Sequence, residues 1–219
     1  MLSRRYQRIC QTLDCRQPDL TVIMEDVHKP HNISAIIRTC DAVGVLDVHA
    51  MNQVVDGEEL TTYAQVAQGS EKWVNLYRHP DISTAIQSVQ QQNFKVYAAH
   101  LSDRAVDYRE IDYTQPTAIL MGAERWGVSN TAAELVDGHI IIPMLGMVQS
   151  LNVSVAAAVI LFEAQRQRLQ AGLYNQPRLT PELYQQKVFE WGYPELVDHY
   201  RDRQLPYPPL DAEGQIIKA

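Results

Sequence analysis

The stretch IIIPMLGMVQSLNVSVAAAVILFEAQRQR (140–168) says most about the fold of this chain. It begins as an apolar run that ends at Pro143, continues as an apolar loop around Gly146, and re-enters a helix through the segment 150–152. Consecutive alanines early in that helix allow close packing, as in a buried core helix. Because connecting loops are usually polar, an apolar loop is expected either to be buried or to line a pocket.

Outward from this stretch, short apolar runs alternate with segments of helical period. Strands are predicted at 20–27, 48–51, 72–77, 94–101, 117–122 and 139–143, and helices at 3–16, 33–43, 82–92, 129–136 and 153–171, with one or two more after residue 175. This alternation predicts an α/β fold: a mostly parallel sheet with helices on both faces, plus short helices at the termini. In such sheets, ligands bind beyond the carboxyl ends of the strands.

The composition is that of an ordinary globular protein, and it excludes several classes. Of 219 residues, 46% are hydrophobic and 21% are charged, so a large core can form without disulfides or a structural metal. Three cysteines without a C-x-x-C pair favour reduced packing residues, and we predict no metal site. No apolar run approaches the roughly 20 residues of a membrane span, and the N-terminus lacks the apolar core of a signal peptide. We therefore expect a cytoplasmic protein with no membrane association.

The net charge and the local charge clusters give opposite indications about binding to nucleic acid. The net charge of −7 argues mildly against a nucleic-acid partner. Local clusters matter more for phosphate contacts, and two groups of arginines are candidates for binding RNA: Arg4, Arg5, Arg8 and Arg16 near the N-terminus, and Arg166 and Arg168 farther along. The alternative is that these arginines are solvated side chains on helix surfaces.

The stretch HNISAIIRTCDAVGV (31–45) predicts a helix that carries two candidate functional residues. Asn32 is a natural N-cap, because its side chain can accept from free backbone N–H groups of the first turn. Apolar and small side chains cover most of the helix, so Arg38 is expected to be a lone cation in crowded surroundings that needs an anion or several acceptors. The competing interpretation is an internal salt bridge between Arg38 and Asp41.

A third stretch, AILMGAERWGVS (118–129), places a carboxylate after a buried strand. Gly122 at the end of the strand permits close backbone approach to a ligand. Glu124 would then stand at the mouth of the crevice, although a carboxylate favoured by the dipole of the next helix would look the same. The chain has neither G-x-G-x-x-G after a strand nor G-x-x-x-x-G-K-[ST], so a dinucleotide fold and a P-loop NTPase are unsupported.

Together the three stretches resemble, in order and spacing, the motifs of the SPOUT superfamily in its SpoU/TrmH branch. NxxSAIIRTCDAVG and IPMxGxVQSLNVSVAAA carry the resemblance, and CRQPDL (15–20), DYREIDY (107–113) and AQRQRLQAGLY (164–174) are similar to the tRNA guanosine 2′-O-methyltransferases. The resemblance implies a deep C-terminal trefoil knot, bound S-adenosyl-L-methionine, a homodimer, and methyl transfer to the ribose of guanosine 18 in the tRNA D-loop. It divides the chain into an N-terminal helical arm (1–19), a methyltransferase domain (20–172) and a C-terminal helical extension (173–219).

The same resemblance assigns roles to individual positions. The catalytic set that it implies is Asn32, Arg38, Glu124, Ser150 and Asn152. The cofactor-lining set that it implies is Leu101, Gly122, Ile142, Met144, Gly146, Ser150 and Leu151. Family members are proposed to use the residue at Arg38 as the activating group. Because arginine stays protonated in proteins, we favour a cation that stabilises the developing oxyanion, and leave a basic role as the alternative.

Other functions compete with this one. An rRNA or wobble-nucleotide ribose methyltransferase would share the motifs. The roughly 20 residues before the first strand are few for the separate RNA-binding domain of many rRNA enzymes, and the extension after residue 172 is unlike wobble-nucleotide enzymes. A non-catalytic RNA-binding protein on the same fold is disfavoured by the complete catalytic set. A nucleotide-dependent oxidoreductase is disfavoured by the missing glycine fingerprint.

Overall fold

The chain divides into two compact units in its computed structural model, which describes residues 1–51, 54–55, 58–59 and 72–217. The larger unit comprises 18–173. The smaller unit is formed by both ends of the chain, 1–17 together with 174–219.

Seven parallel strands form the sheet of the larger unit. The described residues form nine strands, of which all but β3 and β4 belong to this sheet: β1 (Leu20–Met24), β2 (Asp47–Met51), β3 (Val54–Val55), β4 (Glu58–Glu59), β5 (Asn75–His79), β6 (Lys95–Ala99), β7 (Val106–Asp107), β8 (Thr117–Met121) and β9 (Gly138–Ile141). Their order in the sheet is β5-β2-β1-β8-β6-β9-β7, and β3 pairs with β4 as a separate antiparallel ribbon. The expected mostly parallel α/β fold is therefore confirmed for the described residues.

Helices cover both faces of this sheet. The helices of the chain are α1 (Ser3–Asp14), α2 (Pro30–Ala42), α3 (Ile82–Gln90), α4 (Asn130–Leu135), α5 (Val153–Gln170), α6 (Pro181–Gly192) and α7 (Pro194–Asp202). Helix α2 packs against α5, and α3 packs against α4. Along β1, Val22 and Met24 join the core shared with α2 and α5, whereas Ile23 joins the core shared with α3 and α4. This period of two is what a strand buried on both faces requires.

Helix α2 begins earlier than its sequence predicted. Its N-cap is Lys29, which makes no side-chain capping bond, and Pro30 occupies the first helical position. Proline is favoured there because its fixed φ suits the helix and its missing N–H would have no partner. The prediction of Asn32 as N-cap is therefore wrong: Asn32 lies inside the first turn, 1% exposed, and its side chain is free to bond elsewhere.

The amino ends of β1 and β8 are tied together by a buried arginine. Arg168 of α5 is fully buried; its Nε donates to the carbonyl of Tyr113 at 2.8 Å. Its two terminal nitrogens donate to the Asp19 carboxylate at 2.6 Å, the Asp19 carbonyl at 3.0 Å and the Gln115 carbonyl at 3.2 Å. We call these four residues the Arg168 cluster. Its guanidinium is enclosed by its own chain, so this conformation does not support the predicted contact between Arg168 and RNA.

The smaller unit packs α1 against α6 around an aromatic core. Phe189 stacks on Tyr207 with ring centroids 4.4 Å apart, and both contact Tyr200 edge-on. Arg16 is also fully buried, with its guanidinium carbon 5.2 Å from the centroid of the Trp191 ring. Arg16 is therefore a packing cation in this unit, and its predicted contact with RNA is not supported by its burial.

Candidate functional site

Two asparagines and a glutamate from three separate segments meet at the carboxyl end of the sheet. The Nδ2 of Asn32 donates to Oε1 of Glu124 at 2.6 Å. The Nδ2 of Asn152 donates to Oδ1 of Asn32 at 3.2 Å. We call these three residues the amide network. The network joins the three stretches 31–45, 118–129 and 140–168. Its members lie up to 120 residues apart along the chain.

Each member of the network is held by its own element. Asn32 is fixed by the first turn of α2, and Glu124 lies in the turn directly after β8. Asn152 is the N-cap of α5, where its Oδ1 accepts from the backbone N–H of Ser154 at 2.9 Å and from the Ser154 hydroxyl at 2.6 Å. Because α2 packs on α5, the starts of the two helices come together, and the network follows from that packing.

The network keeps Glu124 charged. Partial burial acts to raise the pKa of Glu124, but hydrogen bonds from Asn32 and from the backbone at Lys29 and His28 outweigh it, so that the pKa lies below its usual value. Hydrogen bonds to the charged form of a carboxylate favour that form. At neutral pH the site therefore holds a fixed negative charge beside two amide groups.

Gly122 serves the fold in a way that its sequence position did not indicate. Ala123 and Gly127 form an isolated antiparallel bridge with bonds of 2.9 and 2.8 Å, and Gly127 has a φ of 69°. A Cβ on Gly122 would lie 2.3–2.5 Å from backbone atoms of Gly127 and Val128. The close backbone approach for which a glycine is needed is thus made by the turn of this chain itself.

The apolar loop before α5 is exposed, which contradicts burial within the chain and leaves the other expectation, that the loop lines a pocket, as a prediction. Leu145 and Met147 are 101% and 98% exposed, and Val148 is 62% exposed. Ser150 is also exposed. The predicted cofactor residues Ile142, Met144 and Leu151 are partly buried. A Cβ on Gly146 would meet no atom within 4 Å.

Strand order brings the predicted cofactor residues to one place. Strands β8, β6 and β9 are neighbours in the sheet. Leu101 follows β6, Gly122 follows β8 and Ile142 follows β9, so all three lie beyond the carboxyl ends of adjacent strands. This is where ligands bind in open parallel sheets. Leu101 is 75% exposed, so this edge of the sheet carries several exposed apolar side chains.

Arg38 is placed differently from the rest of the set. It lies on α2 six residues after Asn32, so the two side chains leave the helix in directions about 120° apart around its axis. Its side chain is exposed, and the expectation of a cation in crowded surroundings is wrong for the single chain. The structure therefore brings Asn32, Glu124 and Asn152 into contact, but not Arg38.

A cleft of about 590 Å³ adjoins Glu124 at the carboxyl ends of β1 and β8. Its lining residues are Glu25, Asp26, His28, Lys29, Ala123, Glu124, Arg125, Trp126, Gly127 and Ser129. We call it the Trp126 cleft. Apart from Glu124, sequence reasoning missed these residues, although an acidic pair directly after a buried strand could have indicated them. The cleft differs from the predicted cofactor set, with which it shares no residue.

The other four arginines that the sequence predicts to bind RNA are exposed. Arg4, Arg5 and Arg8 project from α1, and Arg5 donates to the carbonyl of Trp191 at 2.9 Å. Arg166 is ion-paired with Glu163 at 2.6 Å on the surface of α5. Because all four side chains are exposed, their guanidinium groups can reach a phosphate backbone.

Two features are absent from the described residues, a metal site and a membrane-spanning helix. Over residues 1–51 and 72–217, no group of three His, Cys, Asp or Glu side chains is arranged to hold a metal ion. No helix in the part of the chain that the structure describes has the length and hydropathy to cross a membrane.

Fold and site together define an α/β protein with a candidate ligand site at the carboxyl ends of a parallel sheet. Comparison with known families then places it: residues 19–162 match the SpoU rRNA Methylase family, and residues 166–219 match the family described as SpoU, rRNA methylase, C-terminal. This protein belongs to the SpoU methylase family.

Individual relatives cover nearly the whole chain. The tRNA (guanosine(18)-2'-O)-methyltransferase of Thermus thermophilus is 60% identical over 187 residues, 85% of this chain and 95% of the relative. The protein of the same name from Escherichia coli K12 is 55% identical over 214 residues, 97% of this chain and 92% of the relative.

Solved structures agree in fold. The A. aeolicus TrmH/SpoU tRNA modifying enzyme superposes with a TM-score of 0.80 at 41% identity, covering 88% of this chain and 97% of that one. The SpoU methyltransferase AviRb from Streptomyces viridochromogenes, solved in complex with the cofactor AdoMet, superposes with a TM-score of 0.61 at 29% identity, covering 70% of this chain and 62% of that one.

Proposed function

We propose that this protein methylates the ribose 2′-hydroxyl of guanosine 18 in tRNA, with S-adenosyl-L-methionine as methyl donor. The amide network carries the proposal, because it unites the three family stretches at the ligand-binding end of the sheet. The names of relatives at 60% and 55% identity support the substrate. A cytoplasmic location is part of the same proposal, since tRNA is its substrate.

The residues beyond β6, β8 and β9 fit the proposed donor. Exposed apolar side chains at Leu101, Leu145 and Met147 suit an adenine ring and a thioether chain, as ligand sites are mostly apolar with a few polar groups. The residues that would hold it are Leu101, Gly122, Ile142, Met144, Gly146, Ser150 and Leu151. When bound, S-adenosyl-L-methionine supplies a methyl group on a sulfonium that is already activated.

The chain itself must align the ribose and favour loss of its proton. Arg38, Asn32, Glu124, Ser150 and Asn152 make up the proposed catalytic set. Arg38 would stabilise the developing 2′-oxyanion as a positioned cation. The side-chain amide of Asn32 donates to Glu124 and accepts from Asn152 rather than bonding to Arg38, so Asn32 acts by holding the Glu124 turn against the start of α5.

A homodimer is part of the proposal. On α5, Val155, Phe162 and Leu169 are 48%, 50% and 55% exposed at intervals of seven residues. Residues seven apart lie nearly above one another on a helix, so they form an apolar stripe of the kind that packs against a partner helix. Phe162→Glu should convert the dimer into a monomer in analytical ultracentrifugation; an unchanged sedimentation coefficient would contradict this.

A trefoil knot is the finer fold proposal. Strand β8 lies between β1 and β6, and β9 lies between β6 and β7, so the chain twice returns between strands that precede it in sequence. Such insertion is what threading of the C-terminal segment would produce. The three-part division at residues 19 and 172 is retained as a proposal, with tRNA contacts assigned to the exposed arginines Arg4, Arg5, Arg8 and Arg166.

One assay tests the function. Purified protein is incubated with methyl-labelled S-adenosyl-L-methionine and an unmodified tRNA transcript, and the product is digested to nucleosides. We expect 2′-O-methylguanosine at position 18 and its loss when guanosine 18 is replaced by a 2′-deoxyguanosine. Label in rRNA or at the wobble position, with none at guanosine 18, would overturn the assignment.

A further inference from the structure

The Trp126 cleft has the size of a ligand site and shares one residue with the amide network. Its volume of about 590 Å³ falls within the range of roughly 300–1,000 Å³ typical of small-molecule sites. Glu124 is a member of both the network and the cleft wall. A group bound in the cleft would therefore lie directly beside the proposed reaction centre.

An aromatic face forms one wall of this cleft. Trp126 is 79% exposed, and the guanidinium carbon of Arg125 lies 4.8 Å from the centroid of its ring. A tryptophan left open to this extent is unusual in a folded chain and is typical of a binding surface. Aromatic side chains of this kind stack on unpaired RNA bases.

The carboxylate of Asp26 forms part of another wall of the cleft. Within the described residues, the side chain of Asp26 makes no hydrogen bond or ion pair, although it is only partly exposed. Its φ of 50° lies in the left-handed region, which aspartate tolerates better than most residues. The neighbouring Glu25, by contrast, is 2% exposed and accepts from the backbone N–H of Ser129 at 3.0 Å, so it secures the loop.

We propose that the Trp126 cleft binds the guanine base of the target nucleotide, with Trp126 stacking on the ring and Asp26 accepting from N1–H and the 2-amino group. This inference rests on the proposed function. An ionised carboxylate only accepts, and its two oxygens match the two adjacent donors of the Watson–Crick edge of guanine. Adenine and cytosine each place an acceptor beside a donor there, so neither satisfies the carboxylate.

The charges at the rim fit a nucleotide as well as a base. Lys29 and Arg125 line the cleft with exposed side chains, and His28 lies beside them. Cations at the mouth can meet the phosphates that flank the target nucleotide. Guanosine would thus be held by its base in the cleft and by its phosphates at the rim, with its ribose toward Glu124.

Base selectivity tests the proposal. Initial rates are measured with tRNA transcripts carrying guanosine, inosine or adenosine at position 18, for the wild type and Asp26→Asn. Inosine lacks the 2-amino group, so the wild type should prefer guanosine to inosine by about tenfold or more, the value of one hydrogen bond to a charged group. Asp26→Asn should reduce kcat/KM for guanosine by about 10–100-fold and bring the guanosine-to-inosine ratio close to one.

Controls separate base recognition from other losses. Asparagine tolerates the left-handed conformation as aspartate does, so Asp26→Asn should fold normally. Asp198→Asn, which makes the same charge change at a side chain 86% exposed, should leave every rate unchanged. Binding of S-adenosyl-L-homocysteine, measured by calorimetry, should be the same for Asp26→Asn and the wild type.

Three results would distinguish failure of the base site from failure of the proposed function. An Asp26→Asn variant that keeps the wild-type guanosine-to-inosine ratio refutes the base site while leaving the methyltransferase intact. A variant that loses S-adenosyl-L-homocysteine binding assigns Asp26 to the cofactor and also refutes the base site. A wild type that methylates no tRNA refutes the proposed function itself.

Trp126 gives a second readout. Trp126→Phe keeps an aromatic face and should retain most activity. Trp126→Ala removes stacking worth about 1–3 kcal/mol per base, so KM for tRNA should rise by roughly 5–100-fold. Equal KM values for Trp126→Ala and the wild type would overturn the stacking role.

Discussion

The two ends of the parallel sheet use buried polar groups for different purposes. At the amino end, the Arg168 cluster directs four hydrogen bonds from one guanidinium to Asp19, Tyr113 and Gln115. At the carboxyl end, the amide network joins three segments but lies beside an open cleft and an exposed apolar loop.

The difference between the two ends indicates that one stabilises the fold and the other binds a ligand. A buried cation whose donors are all met by its own chain secures the fold, and removing it would leave Asp19 without its partner. A polar network beside exposed apolar loops and an open cleft retains surface for another molecule. We infer that the amino end of this sheet is built for stability and the carboxyl end for ligands, and each prediction below tests that division.

The largest effect is expected from breaking the Arg168 cluster. Arg168→Ala should lower the free energy of unfolding by about 3–5 kcal/mol, because it removes the arginine donor from the Asp19 carboxylate and from three backbone carbonyls. Chemical denaturation would measure it. Arg166→Ala, two residues earlier and exposed, is the matched control and should change the unfolding free energy by no more than about 0.5 kcal/mol. Equal losses for both variants would contradict the division.

Arg38 is expected to dominate the chemistry without supporting the fold. Arg38→Ala should reduce kcat by about 10²–10³-fold while the unfolding free energy and S-adenosyl-L-homocysteine affinity stay nearly unchanged. Arg38→Lys separates the two mechanisms. A positioned cation should give measurable activity with the pH profile of the wild type, whereas a base should give activity that rises steeply toward alkaline pH. An Arg38→Ala enzyme with the wild-type rate would refute this placement of the active site.

Substitutions at Gly122 and Gly146, both at the carboxyl end of the sheet, should differ in effect: the first should lower stability, and the second should weaken ligand binding. Gly122→Ala would force a Cβ against the backbone of Gly127 and Val128, and should lower the unfolding free energy by about 1–3 kcal/mol. Thermal or chemical unfolding would measure it. A variant as stable as the wild type would show that this turn adjusts without strain.

The smallest effect is expected at Gly146, where only ligand binding should change. Because a Cβ there meets no atom of the chain, Gly146→Val should leave the unfolding free energy within about 0.5 kcal/mol of the wild type. The same variant should weaken S-adenosyl-L-homocysteine binding by about tenfold or more in calorimetry, since the added side chain would compete with the ligand. Unchanged affinity would remove this loop from the cofactor site.

The sequence predicted the alternation of strands and helices well, because local apolar periodicity fixes it. Helix α5 was predicted at 153–171 and found at Val153–Gln170, with Gly172 after it in the left-handed conformation (φ 74°). The two-residue strand β7 was missed, since so short a segment has no period. Strand β5 was predicted at 72–77 and found at Asn75–His79, a shift within the usual uncertainty of strand boundaries.

Site residues could be predicted where they form an unusual local pattern in the sequence. Their contacts and exposure could not, because these depend on tertiary packing. Asn32 and Asn152 stood out in their stretches, but their contact depends on α2 packing against α5. Arg168 resembled a surface cation because its partner Asp19 is 149 residues away in sequence. The exposure of Leu145 could not be read from composition, since an apolar loop can be buried in its own chain or left open to a partner.

Hydrogen–deuterium exchange with and without S-adenosyl-L-homocysteine would show which end of the sheet binds the ligand. We expect added protection in the segments after β6, β8 and β9, at residues 100–102, 122–128 and 142–152, together with the first turn of α2. We expect no change at the amino end, around residues 18–20, 113–117 and 166–170. Protection confined to the amino end, or none at any of the three segments at a ligand concentration that calorimetry shows to be saturating, would contradict this expectation.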